Sequence, residues 1–470
     1  MKMTLEEISV GLKSVGDLSG SEKTAISSIQ TDSRLVRSGD LFICLCGQNM
    51  DGHVFADQAV KNGAAAVVSH NLMPNSNVPV LLVEDTLKAL GRLARYWRLK
   101  KGRKVIAITG SAGKTTTKEM LSDVLGTAYK TGRNFKNWNN QIGLPLSILR
   151  FSGEEDFWVL ELGINNPYDM DELGEIACPD QAVILNIGPC HLQGLENVEG
   201  VARSKALILD HLRGPRKAFL CRDYILLEKE LDARPSINPV WFSCMGKDAD
   251  YSLECTVSHQ HKILDKGDVY LLENMPGGDQ YCENICAVWA VARNAGMTPA
   301  QVTAGLRLFR PQEQRFFVHD LGSWTIIDDT YNANPLSMSR AVKSARTMAG
   351  NRDLFLVLGD MAELGHAETE AHEGLGRLIS EVGCQGILFF GKNAGIVKAA
   401  LDKGHTDLFF EIRSMQHFKS LLSRLGSTEG AVLFKGSRSS GMEQFVACFR
   451  EWYQENSSSV YSPELLKTRT

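Results

Sequence analysis

A short glycine-rich segment of the sequence combines the residue types that hold phosphate groups. The segment Gly110-Ser-Ala-Gly-Lys-Thr-Thr-Thr117 follows an apolar run at 105–108 and precedes a helical pattern at 118–125. In a strand–glycine loop–helix unit, backbone N–H groups and the helix N-terminus bind polyphosphate. Lys114 would then contact the outer phosphates, and Thr115 would contact a magnesium ion. The sequence therefore predicts a protein that binds a nucleoside triphosphate.

This glycine loop is shorter than the general phosphate-binding loop. Two residues, Ser111 and Ala112, separate Gly110 from Gly113, where the general pattern has a longer interval. An ordinary turn before a helix, with a solvated lysine, is the alternative interpretation. If the loop binds ATP, the residues expected around its phosphates are Gly110, Ser111, Ala112, Gly113, Lys114, Thr115 and Thr116.

Composition and charge limit the kind of protein that the sequence can encode. The chain has 470 residues, of which 43% are hydrophobic and 23% are charged, as in ordinary globular proteins. A chain of this length should form about two to four domains. The formal net charge is −4 and the basic residues are dispersed, so nucleic acid is not an expected partner.

The cysteines and the N-terminus indicate a reducing compartment. The 11 cysteines are scattered without a CxxC pair, which supports neither a zinc ribbon nor a thioredoxin motif. We therefore expect reduced, mostly buried thiols. The N-terminus lacks the apolar core of a signal peptide, and no apolar run approaches the roughly 20 residues of a membrane span. A soluble cytoplasmic protein without membrane insertion is expected.

The apolar runs divide the chain into three α/β blocks. Residues 1–84 contain short strands around a helix, which predicts a small α/β domain. Residues 85–312 contain the glycine loop, and their alternating strands and helices are typical of a mostly parallel sheet. Residues 313–470 repeat this alternation. Ligands of such sheets bind at the carboxyl ends of the strands, so the polar rims of the second and third blocks could close over each other.

Two polar residues follow strands of the second block. Glu161 ends an apolar strand at 157–160, and His191 lies in the loop after the run at 182–185. A carboxylate at a strand end near a phosphate loop can hold magnesium. A solvated glutamate and a structural histidine are the alternatives. We expect the two residues to end neighbouring strands of one sheet.

Two amide-rich segments complete the set of polar loops. The segment at 137–145 has three asparagines and ends in Ile-Gly-Leu-Pro, which suggests a shaped loop that contacts a ligand. The segment at 328–335 combines two strand-end carboxylates with two asparagines and a proline. It could bind ribose hydroxyls or the metal of the phosphates. Helix or turn capping is the alternative for both segments.

Taken together, these motifs resemble the Mur ligase family of peptidoglycan synthesis. The resemblance spans nearly the whole chain, and the motifs that carry it are Asp32-Ser-Arg34, Asp51-Gly-His53, Thr109-Gly-Ser-Ala-Gly-Lys-Thr-Thr116, Asn139-Asn-Gln-Ile-Gly-Leu-Pro145, Glu161-Leu-Gly163, Asn186-Ile-Gly-Pro-Cys-His191, Asp328-Asp-Thr-Tyr-Asn-Ala-Asn-Pro335 and Lys435-Gly-Ser-Arg438. The loop at 328–335 is similar to that of the branch that adds D-alanyl-D-alanine. The D-N-P-R signature of the diaminopimelate-adding branch is absent.

The resemblance implies three domains with separate tasks. Residues 1–84 would bind a uridine nucleotide, residues 85–312 would form the ATPase, and residues 313–470 would form a Rossmann-like ligase domain. It implies the substrates UDP-N-acetylmuramoyl-tripeptide and D-alanyl-D-alanine, with ATP, two magnesium ions and an acyl-phosphate intermediate. A monomer is expected. The alternatives are a related ligase that adds a single amino acid, such as the diaminopimelate-adding branch or a folylpolyglutamate synthetase, and a nucleotide-switch ATPase.

The resemblance also implies roles for individual residues. Lys114, Glu161, His191 and Lys205 would be catalytic. Thr115, Glu161 and His191 would bind magnesium, together with Lys205 as a carbamate. Asn284, Arg315 and Asp329 would contact the adenine, the ribose or the phosphates. The residues expected to bind the other substrates are Ser33, Arg34, Asn139, Asn140, Asn332, Asn334, Lys435 and Arg438.

One segment departs from the family pattern. The family commonly has Gly-x-His-Asn-x-x-Asn, whereas this chain has Gly278-Asp-Gln-Tyr-Cys-Glu-Asn284. The final asparagine is kept, but Gln280 and Tyr281 replace the histidine and the first asparagine. This leaves the contacts on the adenine side open, while the groups for phosphate and metal are unchanged.

Overall fold

The chain forms three α/β units that follow one another along the sequence, each built around its own main sheet. A computed structural model describes residues 3–47, 50–255, 260–273, 275, 278–423 and 429–457. The main sheets contain four, nine and six strands. The prediction of a three-domain α/β protein with mostly parallel sheets is confirmed. The boundaries at residues 84 and 312 stay a prediction.

The first unit is a four-stranded parallel sheet with a small antiparallel pair beside it. Its elements are β1 (Met3–Thr4), α1 (Leu5–Leu12), β2 (Ala25–Ile26), β3 (Ile29–Gln30), β4 (Leu41–Ile43), α2 (Ala56–Lys61), β5 (Ala66–Ser69) and β6 (Val80–Leu82), with single helical turns at Ser33–Leu35 and Gly52–Phe55. The sheet has the order β3-β4-β5-β6. Thr4 and Glu7 form a reciprocal capping box that fixes the start of α1.

The second unit is a nine-stranded sheet in which the glycine loop follows a central strand. Its elements are α3 (Thr86–Lys101), β7 (Lys104–Thr109), α4 (Lys114–Gly126), β8 (Thr131–Arg133), α5 (Gly143–Ile148), β9 (Phe157–Glu161), α6 (Asp169–Ala177), β10 (Gln181–Ile184), α7 (Leu192–Leu195), α8 (Val198–Ala206), β11 (Lys217–Cys221), α9 (Ile225–Asp232), β12 (Asn238–Ser243), β13 (Tyr251–Cys255), β14 (His261–Asp265), β15 (Asp268–Leu272), α10 (Cys282–Asn294) and α11 (Pro299–Leu308). The strand order is β15-β14-β13-β12-β11-β10-β7-β9-β8. Strand β14 pairs antiparallel with both β13 and β15, and all the other neighbouring strands of this sheet pair parallel.

The third unit is a six-stranded sheet with one antiparallel edge. Its elements are β16 (Phe317–Leu321), β17 (Trp324–Asp329), α12 (Pro335–Ala349), β18 (Leu354–Gly359), α13 (Glu368–Val382), β19 (Gly386–Phe390), α14 (Ala394–Ala399), α15 (Lys403–Thr406), β20 (Phe409–Glu411), α16 (Met415–Leu422), β21 (Gly430–Lys435) and α17 (Glu443–Ser457). The order is β16-β17-β21-β18-β19-β20. Strand β16, which the apolar pattern did not predict, pairs antiparallel with β17.

The strand order corrects one prediction about the candidate site. Glu161 ends β9 and His191 follows β10, but these strands are not neighbours, because β7 lies between them. The two residues therefore flank the glycine loop from opposite sides. Local sequence cannot give this order, since each strand chooses its neighbours through contacts between distant residues.

The cysteines give a second correction. The prediction of reduced thiols is wrong at Cys282, which forms a disulfide. Pairing depends on the distance between Cα atoms in the folded chain, which spacing along the sequence does not reveal. Free thiols are present at Cys44, Cys46, Cys178, Cys190, Cys221, Cys244, Cys286, Cys384 and Cys448.

Apolar packing joins the units to one another. One buried cluster runs from Ile106 and Val288 in the second unit to Met338 and Leu356 in the third. Another extends from Leu5 in the first unit across α3 to the opposite face of the second sheet. Because each cluster crosses a junction between units, burial of apolar surface stabilises their relative placement.

Candidate active site

The glycine loop between β7 and α4 leaves no room for a side chain at Gly113. Gly113 has a φ of 79°, and a Cβ atom there would lie 2.5 Å from the side-chain nitrogen of Asn284. Gly113 is the N-cap of α4 and provides no side chain to bond its first N–H groups. No described side chain caps this helix, so its N-terminus can offer its N–H groups to an anion.

The loop that follows β10 shapes the glycine loop. The backbone N–H of Ala112 donates to the side-chain oxygen of Asn186 over 2.8 Å, and that of Ser111 donates to the carbonyl of Asn186 over 3.1 Å. The Ser111 hydroxyl donates to the carbonyl of Gly188 over 2.9 Å. Lys114 folds back over the loop, and its ammonium donates to the carbonyl of Gly110 over 2.8 Å. These bonds order the shortened loop.

Glu161 presents a buried carboxylate oxygen to the site. Its side chain is 2% exposed, and its Oε1 accepts a hydrogen bond from the Asn139 amide over 2.6 Å. Its Oε2 is buried without a hydrogen-bond partner among the described residues. An unpartnered buried carboxylate oxygen is costly, and a cation would remove that cost. This donor therefore fits a hard divalent ion such as magnesium.

His191 lies on the other side of the glycine loop and contacts the third unit. Its backbone has a φ of 52°, and its Nδ1 lies 2.5 Å from Oε2 of Glu363. Burial lowers the pKa of the imidazole, and the charges of Lys114 and Lys205 act in the same direction, while Glu363 opposes them. A neutral imidazole is the form that can bind a metal ion.

Lys205 lies on α8 and is buried. Only 1% of its surface is exposed, and burial lowers the pKa of its ammonium to about 8, with a further contribution from Lys114. The charge of Cys190 opposes this shift. A buried lysine of this kind differs from the helix-surface charge that the local sequence pattern indicates.

The third unit contributes a carboxylate held by a buried lysine. Asp329 accepts from the ammonium of Lys435 over 2.6 Å and from the backbone N–H of Phe316 over 3.1 Å. The guanidinium of Arg315 lies 3.8 Å from the centre of the Tyr331 ring. These contacts fix the strand-end loop after β17 opposite the glycine loop.

Two polar contacts connect the second and third units beside the site. The side-chain amide of Asn334 donates to the carbonyl of Ser111 over 3.0 Å, while its oxygen accepts from the backbone of Ser337 and begins α12. Arg340 donates to both carboxylate oxygens of Glu283 over 2.9 and 2.8 Å. The loop of the third unit therefore rests directly on the glycine loop.

A cavity of about 330 Å³ collects most of the predicted residues. Those that line it are Ser111, Ala112, Gly113, Lys114, Thr115, Thr116, Asn139, Asn140, Glu161, His191, Asn284, Arg315, Asp329, Asn332, Asn334 and Lys435. It lies at the carboxyl ends of β7, β9, β10 and β17, where parallel sheets bind ligands. Gly110 and Lys205 are not part of this lining: Gly110 begins the glycine loop, and Lys205 is buried on α8.

The remaining predicted residues lie at neighbouring cavities. Arg438 lines a cavity of about 170 Å³ that also contacts Lys114 and His191. A cavity of about 520 Å³ separates the first and second units, and Asn140 lines both this cavity and the main one. Ser33 and Arg34 lie next to its wall: Ser33 is buried, and Arg34 is exposed and paired with Asp32 at 2.6 Å.

Several residues of the site were missed at the sequence level. Glu363, Glu283 and Arg340 act through partners that are distant along the chain, so no local motif marks them. Tyr281, the departure from the family pattern, donates its hydroxyl to the carbonyl of Arg315 over 2.6 Å. The pKa of this phenol is raised mainly by burial and further by the charge of Asp329. It is therefore a buried donor that holds the backbone of Arg315.

Comparison with known proteins identifies the family. The Mur ligase family catalytic domain matches residues 25–98, the Mur ligase middle domain residues 108–292, and the Mur ligase glutamate ligase domain residues 314–438. The UDP-N-acetylmuramoyl-tripeptide–D-alanyl-D-alanine ligase of Bacillus subtilis is 33% identical over 90% of this chain and 93% of its own length. The chain belongs to the Mur ligase family. It is therefore an enzyme of the ligase class.

Solved structures of this family have the same fold. A crystal structure of MurF from Acinetobacter baumannii is 28% identical, with a TM-score of 0.88 over 96% of this chain and 99% of that one. The MurF ligase of Thermotoga maritima in complex with ADP is also 28% identical, with a TM-score of 0.81 over 91% and 98%. The expectation of ATP use is confirmed by the family and by this ADP complex. Across the described ranges, no helix is long and apolar enough to cross a membrane.

Proposed function

We propose that the chain joins D-alanyl-D-alanine to UDP-N-acetylmuramoyl-tripeptide with consumption of ATP. One observation carries the proposal: the N-terminus of α4 and Oε2 of Glu161, both without a side-chain partner among the described residues, face the same polar cavity. The first suits a triphosphate and the second suits its metal ion. The names of the similar proteins supply the two substrates.

The donor set fits magnesium. Thr115, Glu161 and His191 line the cavity and would hold the ions, with Lys205 joining them as a carbamate. Magnesium, when bound, would neutralise the negative charge that accumulates between the γ-phosphate and the substrate carboxylate. The ligand Glu161 is positioned by Asn139, whose amide occupies its other carboxylate oxygen.

The carbamate of Lys205 is supported by its burial. Only the unprotonated amine attacks carbon dioxide, and a pKa of about 8 gives a larger unprotonated fraction at neutral pH than an ordinary lysine has. The amine nitrogen forms a bond to the carbon of CO₂ and loses a proton. The product is a carboxylate, a donor that suits magnesium.

The chemistry requires activation of a carboxylate, because a carboxylate is a poor electrophile. An oxygen of the tripeptide's terminal carboxylate attacks the γ-phosphorus of ATP, and ADP leaves. The amine of D-alanyl-D-alanine then attacks the acyl carbon, loses a proton, and the resulting tetrahedral intermediate expels phosphate. Lys114 and the first N–H groups of α4 stabilise the charge of the transferred group.

Exclusion of water protects the acyl phosphate from hydrolysis. The contacts of Asn334 with Ser111 and of Arg340 with Glu283 hold the third unit against the cavity. Such closure also aligns the reacting groups, so that the protein accelerates the reaction by positioning them and not by forming a covalent bond to the substrate.

The remaining assignments follow from the cavities. The 520 Å³ cavity beside Ser33 and Arg34 suits the uridine nucleotide, and Asn140 connects it to the ATP side. Asn332 and Arg438 are assigned to the incoming dipeptide or the peptide carboxylate, and the buried Lys435 orders Asp329 near the ribose. A monomer is part of the proposal. The use of ATP and a nucleotide-linked precursor supports a cytoplasmic location.

Phosphate release with paired substrates tests the proposal. Full-length protein is incubated with ATP, magnesium and UDP-N-acetylmuramoyl-tripeptide, with D-alanyl-D-alanine, a single amino acid, or no acceptor. We expect sustained phosphate release only in the incubation that contains D-alanyl-D-alanine. Release only with the single amino acid would assign the chain to another branch of the family. Slow phosphate release that does not change when either acceptor is added would indicate a nucleotide switch.

A further inference from the structure

A cluster of one thiol and two imidazoles lies in the first unit, away from the ATP cavity. Cys46 follows β4, His53 belongs to the helical turn at Gly52–Phe55, and His70 follows β5. One ligand atom from each of the three residues lies within 4.8 Å of the others. The cluster occupies the carboxyl edge of a parallel sheet, the edge at which such sheets bind ligands.

The spacing of the three side chains is close to that of ligands around a tetrahedral metal ion. The Cys46 sulfur lies 3.7 Å from the near edge of the His53 ring at Nδ1, and the imidazole centres of His53 and His70 are 4.0 Å apart. Bonds of about 2.3 Å to sulfur and about 2.0 Å to nitrogen place tetrahedral ligand atoms roughly 3.3–3.5 Å from one another. A small rotation of the side chains would bring all three atoms onto one ion.

Asp51 supports the cluster in the way that carboxylates support zinc-binding histidines. Its Oδ1 lies 2.6 Å from Nδ1 of His53 and accepts from the Cys46 thiol over 3.2 Å. A metal-ligating histidine almost always donates its other ring N–H to a carboxylate or carbonyl, which fixes the ring. Asp51 therefore orients His53 through Nδ1, and Nε2, which accepts from the backbone N–H of His70 over 3.3 Å, is the ligand atom.

The backbone brings Cys46 and His53 together before any ion binds. Cys46 and Asp51 form an isolated antiparallel bridge, and the N–H of Gly52 donates to the carbonyl of Leu45 over 2.8 Å. A Cβ atom on Gly52 would lie 2.7 Å from backbone atoms of Leu45, so this approach requires glycine. The N–H of His53 donates to Asp51 over 3.0 Å. A preformed loop lowers the entropy lost on binding.

We propose that Cys46, His53 and His70 form a binding site for a divalent transition-metal ion of the zinc class. Sulfur and imidazole donors select zinc over magnesium, which prefers oxygen. Three protein ligands leave the fourth position of a tetrahedral ion for water or another small ligand. The site is separate from the proposed magnesium site, because none of its residues lines the 330 Å³ cavity.

Cobalt(II) titration of the full-length protein tests this site independently of the ligase activity. Magnesium is kept in large excess so that it occupies oxygen-rich positions, and the thiolate-to-cobalt charge-transfer band is recorded. We expect one equivalent of cobalt to produce the band and zinc to abolish it by displacement. The band should vanish in Cys46→Ser and weaken in His70→Gln, both changes at exposed positions. Asp51→Asn should weaken binding about 10–100-fold.

Two matched variants serve as controls. Cys178→Ser removes another free thiol, and His211→Gln removes a histidine that contacts Asp171 as His53 contacts Asp51. Both should retain the full band. Absence of the band in the wild-type protein, its survival in Cys46→Ser and His70→Gln, or its loss in either control would overturn the proposal.

Discussion

Replacement of Lys205 by methionine separates the stability of the fold from its proposed chemistry. In the folded chain the pKa of Lys205 is lowered from 10.5 to about 8, mainly by burial. At about 1.36 kcal/mol per pKa unit, this gap corresponds to a destabilisation of about 3 kcal/mol when the lysine is protonated. Methionine has a similar length and no charge, so this cost is absent in the variant.

The sign of the pH dependence follows from the bound protons. Below pH 8 the lysine is protonated in both the folded and the unfolded chain, and the full cost is present. Between about pH 8 and 10.5 the unfolded chain keeps the proton that the folded chain has lost, so stability rises with pH. In buffer free of carbon dioxide, Lys205→Met should therefore be about 3 kcal/mol more stable at pH 7. This advantage should decline towards pH 10.5.

Urea unfolding and a ligation assay provide the measurements, with Lys118→Met as the matched control. Lys118 is also buried, but it donates to the carbonyls of Asn134 and Lys136 and pairs with Glu119. Its replacement should lower stability, because the carbonyls and the carboxylate lose their partner. Added bicarbonate should raise ligation by the wild-type protein but not by Lys205→Met. Equal stabilisation by both variants, or a gain that does not change with pH, would refute the reasoning.

Three further changes test the cavity. Lys114→Ala should lower ligation about 100–1000-fold without unfolding the protein, because it removes charge from the transferred phosphate; near-normal phosphate release would exclude the glycine-loop assignment. Glu161→Gln should raise the magnesium concentration required for activity about 10–100-fold while ATP binding in chelator is unchanged, and an unaltered magnesium titration would contradict the metal role. Arg340→Met leaves Glu283 buried without its cation, at a cost on the order of 3 kcal/mol. Calorimetry should then resolve separate transitions for the second and third units, and the additional change Glu283→Gln should recover stability.

Local patterns predicted the elements that hold the site. The apolar run before Gly110 is β7, and the helix after it begins at Lys114, four residues earlier than the predicted start at 118. The apolar strand predicted at 157–160 belongs to β9, Phe157–Glu161. Periodicity and glycine spacing act over a few residues, so the sequence carries them directly.

Features that depend on contacts between residues far apart along the chain could not be predicted from local patterns. The placement of β7 between the strands of Glu161 and His191 is decided by the packing of the whole sheet. The contact between His191 and Glu363 joins residues of different units, and no motif surrounds Glu363. Lys205 resembles a surface charge in its helix, and its burial arises because neighbouring elements cover α8.

The amide of Asn334 performs two tasks with its two ends, and this has a thermodynamic corollary. Its oxygen caps α12 while its nitrogen bonds the carbonyl of Ser111. Aspartate could replace it as a cap but could not donate the second bond. Any change in docking strength caused by nucleotide must be matched by an equal change in nucleotide affinity caused by docking. The side-chain amide of Asn334 thus couples the binding of ATP to the docking of the third unit.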